Sequence, residues 1–252
     1  MPSPTPDAPD LTIVIPTYNE RERLGELVDA LFSATRDAGL ELELVVVDDN
    51  SPDGTGALAD DLARSRRIQV VHRTGKLGLG TAVVAGFNVA TAPILGVMDA
   101  DFSHPPSLVP KLLAAQRATG ADLVVASRYV PGGSTPNWPL QRKVLSRAAC
   151  LLARPLSPIR DAASGFFLLR REVAQGVQIH AGGFKICLEL IVRAWPHRLV
   201  EVPYRFDDRE AGESKMSTRE ALGYLLQLRS LYGVRWRERH RARREYRRLS
   251  PA

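Results

Sequence analysis

The chain has 252 residues, of which 44% are hydrophobic and 25% charged, a composition that excludes collagen-like, low-complexity and disordered classes. Its formal charge of +6 lies entirely in residues 235–252, where eight Arg stand against Glu238 and Glu245, so residues 1–234 are neutral by count. Two cysteines, Cys150 and Cys187, are too few for a disulfide framework or a four-cysteine zinc site, and suit a reducing compartment.

Residues 1–10 carry neither a basic start nor an apolar run and read as a disordered leader, not a signal peptide. Leu11–Ile15 and Leu42–Val47 are β-branched runs that end in turn residues. Between them, Leu24, Leu27, Val28, Leu31 and Phe32 recur at helical spacing. A helix near 55–65 and a strand near 68–72 follow. The uncharged stretch 77–98 has the length of a membrane span, but Asn88, Pro93 and its glycines divide it into a helix over 80–91 and a strand over 94–98. No transmembrane helix is expected. Helix 106–119 and strand 122–126 complete the regular half.

After Ser127 the alternation breaks into a Pro/Gly loop (129–139), a helix (140–154), a strand (164–170), a helix (184–195) and a strand (199–203). A polar loop (207–216) then precedes a helix over 217–236. The pattern predicts an α/β fold with a mostly parallel sheet and helices on both faces. One domain over 11–216 is expected, followed by an amphipathic helix and Arg-rich tail over 217–252.

In such sheets ligands lie beyond the carboxyl ends of the strands. Four polar clusters occur there: Pro16-Thr-Tyr-Asn-Glu20, Asp48-Asp49 through Thr55, Asp99 through Pro106, and Ser127-Arg128-Tyr129. Asp99 and Asp101 flank one residue, so on extended backbone they point the same way and can share a divalent ion. Asp48 and Asp49 are adjacent and point opposite ways, so only one of them faces a ligand, while Asp53 or Thr55 caps the next helix. Gly75–Thr81 carries Lys76 ahead of its glycines and is not a phosphate-binding loop of the G-x-x-x-x-G-K-[ST] kind; it reads as a turn and helix start, with Lys76 near an anion. The five histidines lack zinc spacing, and packing is the expected role of His104 and of the isolated aromatics Tyr18, Trp138, Trp195 and Trp236.

Taken in order, these strings resemble the dolichyl-phosphate mannosyltransferase (polyprenyl-monophosphomannose synthase) branch of family 2 glycosyltransferases. Val47-Asp-Asp-Asn-Ser-Pro-Asp-Gly-Thr55, Met98-Asp-Ala-Asp-Phe-Ser-His-Pro-Pro106, Ser164-Gly-Phe166 and Asp208-Arg-Glu-Ala-Gly-Glu-Ser-Lys215 carry the resemblance, which covers about 11–232. It implies a GT-A nucleotide-sugar-binding fold. Pro16, Tyr18, Glu20, Val47 and Asp49 would hold the nucleoside, and Asp99, Ala100, Asp101 and Ser103 would surround the diphosphate and a Mg2+ or Mn2+ ion held by Asp99, Asp101 and Ser103. Arg128, Arg209 and Lys215 would contact phosphates, with the last two on a loop over the donor; Asp101, Arg128 and Arg209 would carry the chemistry. Arg142 and Ser146, one helical turn apart, would grip the acceptor phosphate. Two positions depart from the pattern: Phe167, where many relatives have Arg, and Lys185 in an apolar string.

The resemblance implies an inverting, metal-dependent transfer of mannose from GDP-mannose to a polyprenyl phosphate, by an enzyme peripheral to the cytosolic face of a membrane. UDP-glucose as donor is the alternative within the class. Helix 217–236 and the tail would dock on anionic lipid, with or without a separate membrane-protein partner. A nucleic-acid-binding module built on the Arg tail is the remote alternative. It leaves the acidic strand ends without a purpose, so no nucleic-acid partner is expected.

Overall fold

In chain order the elements are β1 (Leu11–Thr17), α1 (Arg21–Asp37), β2 (Leu42–Asp48), α2 (Thr55–Ala63), β3 (Ile68–His72), α3 (Leu79–Val89), β4 (Ile94–Val97) and α4 (Leu108–Thr119). Then come β5 (Leu123–Ser127), α5 (Leu140–Ala153), β6 (Phe167–Arg170), α6 (Arg171–Ala174), α7 (Ile186–Arg193), β7 (Arg198–Pro203), α8 (Thr218–Arg237) and β8 (Glu245–Arg248). This computed structural model describes residues 8–177, 179, 185–206, 218–238, 240–241 and 244–249, the side chains of 218–220 excepted.

The strands form one sheet in the order β3-β2-β1-β4-β6-β5-β7-β8. Every neighbouring pair is parallel except those made by β6, which runs antiparallel to β4 and β5. β1 and β2 are buried almost throughout, because helices cover both faces. On one face Ile13, Ile15, Leu44 and Val46 pack with Leu24, Leu27, Leu31 and Leu112 of α1 and α4. On the other, Val14, Val45 and Val47 pack with Val83 and Phe87 of α3, in a layer that continues through α7 and α8. Each fully buried Leu, Val or Phe contributes about 1.5–3 kcal/mol, so these layers hold the strand ends in fixed register. Two glycines permit the approach: a Cβ on Gly86 would run into Val14, and one on Gly96 into Ile13 and Leu168.

The last strand departs from the sequence reading, which puts Glu245–Arg248 in a basic tail. The structure pairs it with β7, with Glu245 N donating to His197 O (2.8 Å) and Leu249 N to Glu201 O (3.0 Å). Only Tyr246 turns inward, donating its hydroxyl to the buried Glu201 carboxylate, while Glu245, Arg247 and Arg248 remain in water. An edge strand needs one partner only and tolerates charge on its open side.

α8 lies beside α5, with Tyr224 Oη donating to Ala149 O and Tyr232 Oη to Leu152 O, each at 2.7 Å. Among the described residues no helix is long and apolar enough to cross a membrane.

Candidate active site

The register of the parallel strands gathers the polar clusters at one edge. Pro16 pairs with Val47 and Thr17 with Asp48, while Val97 pairs with Val14, which carries Asp99 to the level of Pro16. Just past three of these strand ends the chain turns through the left-handed region, at Asn19 (φ 60°), Asn50 (φ 58°) and Phe102 (φ 59°). Asparagine tolerates that conformation. Phenylalanine does not, and holding Phe102 there costs about 1–3 kcal/mol of the kind that gathers at functional sites. The turn brings Ser103 N back to Asp101 Oδ1 at 3.0 Å.

The adjacent aspartates separate as their alternation predicts. Asp48 is tied down by Thr17 Oγ1 (3.1 Å), Ser51 N (3.0 Å) and Ser51 Oγ (2.5 Å). Asp49 turns the other way, to Arg73 Nε at 3.1 Å. Burial lifts the Asp49 carboxyl above its ordinary range, Arg73 opposing the shift and Asp48 adding to it. Asp53 accepts Thr55 N (3.0 Å) and Oγ1 (2.6 Å), closing the turn before α2. Tyr18 is exposed, and Lys76 Nζ stands 3.7 Å above its ring centroid, a cation–aromatic shelf at the mouth of the site. Glu20 starts α1, its backbone N bonded to Thr55 Oγ1 at 3.0 Å.

Asp101, Ala100 and Ser103 are buried, whereas the Asp99 side chain is 40% exposed. Behind Asp99, Gly165 leaves so little room that a Cβ would stand 3.0 Å from Asp99 Oδ2. His104 is boxed by Phe166, Tyr204 and Phe206, with ring centroids 5.1, 6.0 and 5.8 Å away. Its Nδ1 is buried without a hydrogen bond, 4.0 Å from Asp99 Oδ2. Burial pulls the imidazole down to about 4, against the attraction of Asp101, so it stays neutral and packs.

A divalent ion fits this donor set. Two carboxylates one residue apart and a nearby hydroxyl are hard oxygen donors, and among the described residues no group of three or more Asp, Glu, His or Cys is placed to hold a metal by itself. Mg2+ and its relatives take few carboxylates and complete their shell with water and substrate phosphate.

Arg128, just past β5, meets Asp161 in a fork: Nε to Oδ2 at 2.7 Å and Nη2 to Oδ1 at 2.6 Å. Burial lowers the guanidinium pKa, but Asp161 more than offsets it and the group stays charged. Its guanidinium carbon lies 5.2 Å from the Trp138 ring centroid, and that of Arg142 covers the same ring at 4.1 Å. Ser146 Oγ accepts Tyr129 Oη at 2.7 Å, which ties the Arg142–Ser146 face of α5 to the end of β5. Phe167 is fully buried in β6, pointing into the core. Arg209 and Lys215, with the loop 207–216, lie outside the described residues.

Two residues join the site that the sequence reading does not single out, and a third, Lys185, it marks only as a departure from the family pattern. Arg73 directly follows β3, the one N-half strand whose end that reading leaves without a cluster. Asp161 lies in an irregular turn that no periodicity marks. Lys185 precedes α7, and burial together with the Arg128 charge pulls its ammonium below its ordinary pKa, with Asp161 and Asp99 opposing.

A carboxylate pair and arginines from two neighbouring segments stand past the strand ends of a mostly parallel sheet, charges suited to an anionic ligand held together with a cation. The family described as Glycosyl transferase family 2 matches residues 12–184, and the chain belongs to it. A dolichol-phosphate mannosyltransferase of Pyrococcus furiosus is 43% identical over 85% of this chain, which spans 61% of that relative's length. A polyprenol monophosphomannose synthase of Mycolicibacterium smegmatis is 45% identical, covering 81% of this chain and 80% of its own. Among solved structures, the mannosyltransferase PcManGT of Pyrobaculum calidifontis, in complex with GDP-Man and Mn2+, shares the GT-A fold at TM-score 0.60 and 20% identity, over 90% of this chain and 65% of its own.

Proposed function

We propose that the protein transfers mannose from GDP-mannose to a polyprenyl phosphate, with inversion at the anomeric carbon. The observation that carries this reading is the Asp99–Asp101 pair just past β4, at the level of Pro16 and Val47. Arg128 is near enough for its charge and that of Asp101 both to act on His104, and Arg142 lies beside Arg128 on the Trp138 ring. The names of the 43% and 45% identical relatives supply the sugar and the lipid.

In this reading Pro16, Tyr18, Glu20, Val47 and Asp49 bound the nucleoside, and Asp99, Asp101 and Ser103 hold a divalent ion. When bound, that ion neutralises charge on the departing diphosphate. Arg128, Arg209 and Lys215 add fixed positive charge around the same phosphates. Arg142 and Ser146 orient the acceptor phosphate, whose oxygen forms the new bond to the anomeric carbon as the bond to the diphosphate breaks. A phosphate monoester is already an oxyanion near neutral pH, so no general base is required, in keeping with a neutral, boxed His104.

A lipid acceptor also requires approach to a bilayer, here its cytosolic face. α5 exposes Leu140, Val144, Leu151 and Leu152, and α8 exposes Leu222, Leu225, Leu226 and Trp236. These faces, with the arginines that follow α8, form the docking surface in this account.

The test is Asp101→Ala in a transfer assay with Mg2+ or Mn2+. Turnover should fall at least about tenfold, a barrier change above about 1.4 kcal/mol. A variant retaining most of the wild-type rate contradicts the assignment.

A further inference from the structure

A cleft of about 550 Å³ lies between α5 and the loop that follows β5, and Arg128, Tyr129, Arg147, Leu151, Arg154 and Arg160 line it. Arg128 is committed to Asp161. The other three arginines are exposed, and among the described residues none of them pairs with a carboxylate. Arg147 faces the Tyr129 ring at 6.0 Å, and Arg154 Nη1 donates to Pro158 O at 2.7 Å, which folds its side chain back against the turn that bears Arg160. Such a concentration of uncompensated positive charge around a cavity is poised for an anion.

The position on α5 says which anion. Arg147 and Arg154 are seven residues apart and so lie along one line of the helix. On one side of that line is the packed face, with Ser146, Cys150 and Ala153; on the other are the exposed Leu140, Val144 and Leu151. Leu151 is 70% exposed and also lines the cleft, so the cationic cavity opens directly onto an apolar surface. An anion with a hydrocarbon tail satisfies both at once; a free phosphate satisfies only the first.

We infer that Arg147, Arg154 and Arg160 bind the headgroup phosphate of an anionic bilayer phospholipid, whose chains lie along Leu151 and the exposed side of α5. This site is distinct from the acceptor-phosphate position at Arg142 and Ser146, and it rests on the reading of the protein as an enzyme of membrane lipid. It orients α5 at the bilayer beside the place where the acceptor must enter.

The test uses the full chain and vesicles of phosphatidylcholine with or without phosphatidylglycerol, in the absence of donor and acceptor. Wild-type protein should prefer the phosphatidylglycerol vesicles, and R147Q/R154Q/R160Q should lose at least about tenfold of that binding at low salt. The corresponding triple lysine variant, which keeps the charge, should retain it. Equal binding by wild type and the glutamine variant overturns the site, as does equal loss by the lysine variant. Displacement from vesicles by millimolar inorganic phosphate at constant ionic strength would assign the cleft to free phosphate and also overturn it. In a second arm, detergent-solubilised short-chain polyprenyl phosphate should be mannosylated by the glutamine variant with KM within about twofold of wild type. A tenfold rise there would make the cleft part of the acceptor site and contradict a separate phospholipid. Because the vesicle arm contains no substrate, its failure leaves mannosyl transfer untouched, and an inactive wild type leaves the vesicle result standing.

Discussion

Arg128 and Asp161 are bound through one guanidinium edge and the backbone: Nε at 2.7 Å, Nη2 at 2.6 Å, and Arg128 N to Asp161 Oδ2 at 2.9 Å. Asp161 is wholly buried, and the fork fixes the plane of an arginine that would otherwise rotate about four bonds. Asp161→Ala leaves a buried cation without its partner and should cost about 3–5 kcal/mol of stability. Chemical denaturation measures it; a loss under about 1 kcal/mol would mean that solvent reaches Arg128 freely.

The Asp161 turn is itself held from below. Glu201 accepts Asp161 N at 3.0 Å and Arg160 N at 2.9 Å, and its other neighbour is the Tyr246 hydroxyl of β8. The C-terminal strand is thus connected to the site through one carboxylate. Tyr246→Phe should cost about 0.5–1.5 kcal/mol of stability and lower turnover modestly, whereas exposed Arg247→Gln should change neither. For the same reason, deleting the last residues does not isolate a membrane-binding tail, because it removes an edge strand too. Arginine-to-glutamine changes are the cleaner probe. Unchanged stability and turnover in Tyr246→Phe would cut the link.

Gly165 sits against the Asp99 carboxylate, and a Cβ there would stand 3.0 Å from Oδ2 and 3.5 Å from His104 Cε1. His104 cannot yield, being boxed by three aromatic rings, so Asp99 must move. Gly165→Ala is expected to weaken apparent metal affinity in the transfer assay about 10–100-fold. A metal titration that superimposes on wild type would show that Asp99 is not held from behind.

At the opposite edge of the sheet, the buried Glu43 carboxylate accepts Thr91 N (2.7 Å), Thr91 Oγ1 (2.8 Å) and Gln69 Nε2 (2.9 Å), and the Thr12 hydroxyl. Burial alone would raise its pKa, but these bonds outweigh it and hold the carboxyl below its ordinary 4.5. With the folded pKa depressed, the unfolded chain binds more protons near pH 4, so this stabilisation is full above the ordinary carboxyl range. It disappears as pH falls through the folded value. Glu43→Gln should therefore cost about 1–3 kcal/mol at pH 7 and progressively less under acid. Urea unfolding at several pH values distinguishes this from a pH-independent packing defect.

The sheet was legible in the sequence because it is buried on both faces: Leu11–Ile15 and Leu42–Val47 are runs apolar at every position but Thr12 and Glu43, and they end abruptly in polar turns. The same abruptness exposes the candidate site, since Asp49, Asp99 and Arg128 each stand one or two residues past a strand. β8 was hidden by composition, because an edge strand with three charged residues out of four has no alternating apolar signal. Asp161 was hidden for a different reason: its role comes from a tertiary ion pair, and nothing in the surrounding turn repeats. Arg73 was within reach, as the cation that a row of strand-end carboxylates requires.

The donor itself is the most direct test. Purified protein, a divalent metal and polyprenyl phosphate are incubated in parallel with labelled GDP-mannose and labelled UDP-glucose, and the lipid-extractable product is identified by mass. The account predicts polyprenyl-phosphate mannose from GDP-mannose, with UDP-glucose at least about a hundredfold poorer in kcat/KM, a difference of about 2.7 kcal/mol in transition-state binding. Equal or preferred transfer from UDP-glucose, or label that never enters the lipid, would contradict it.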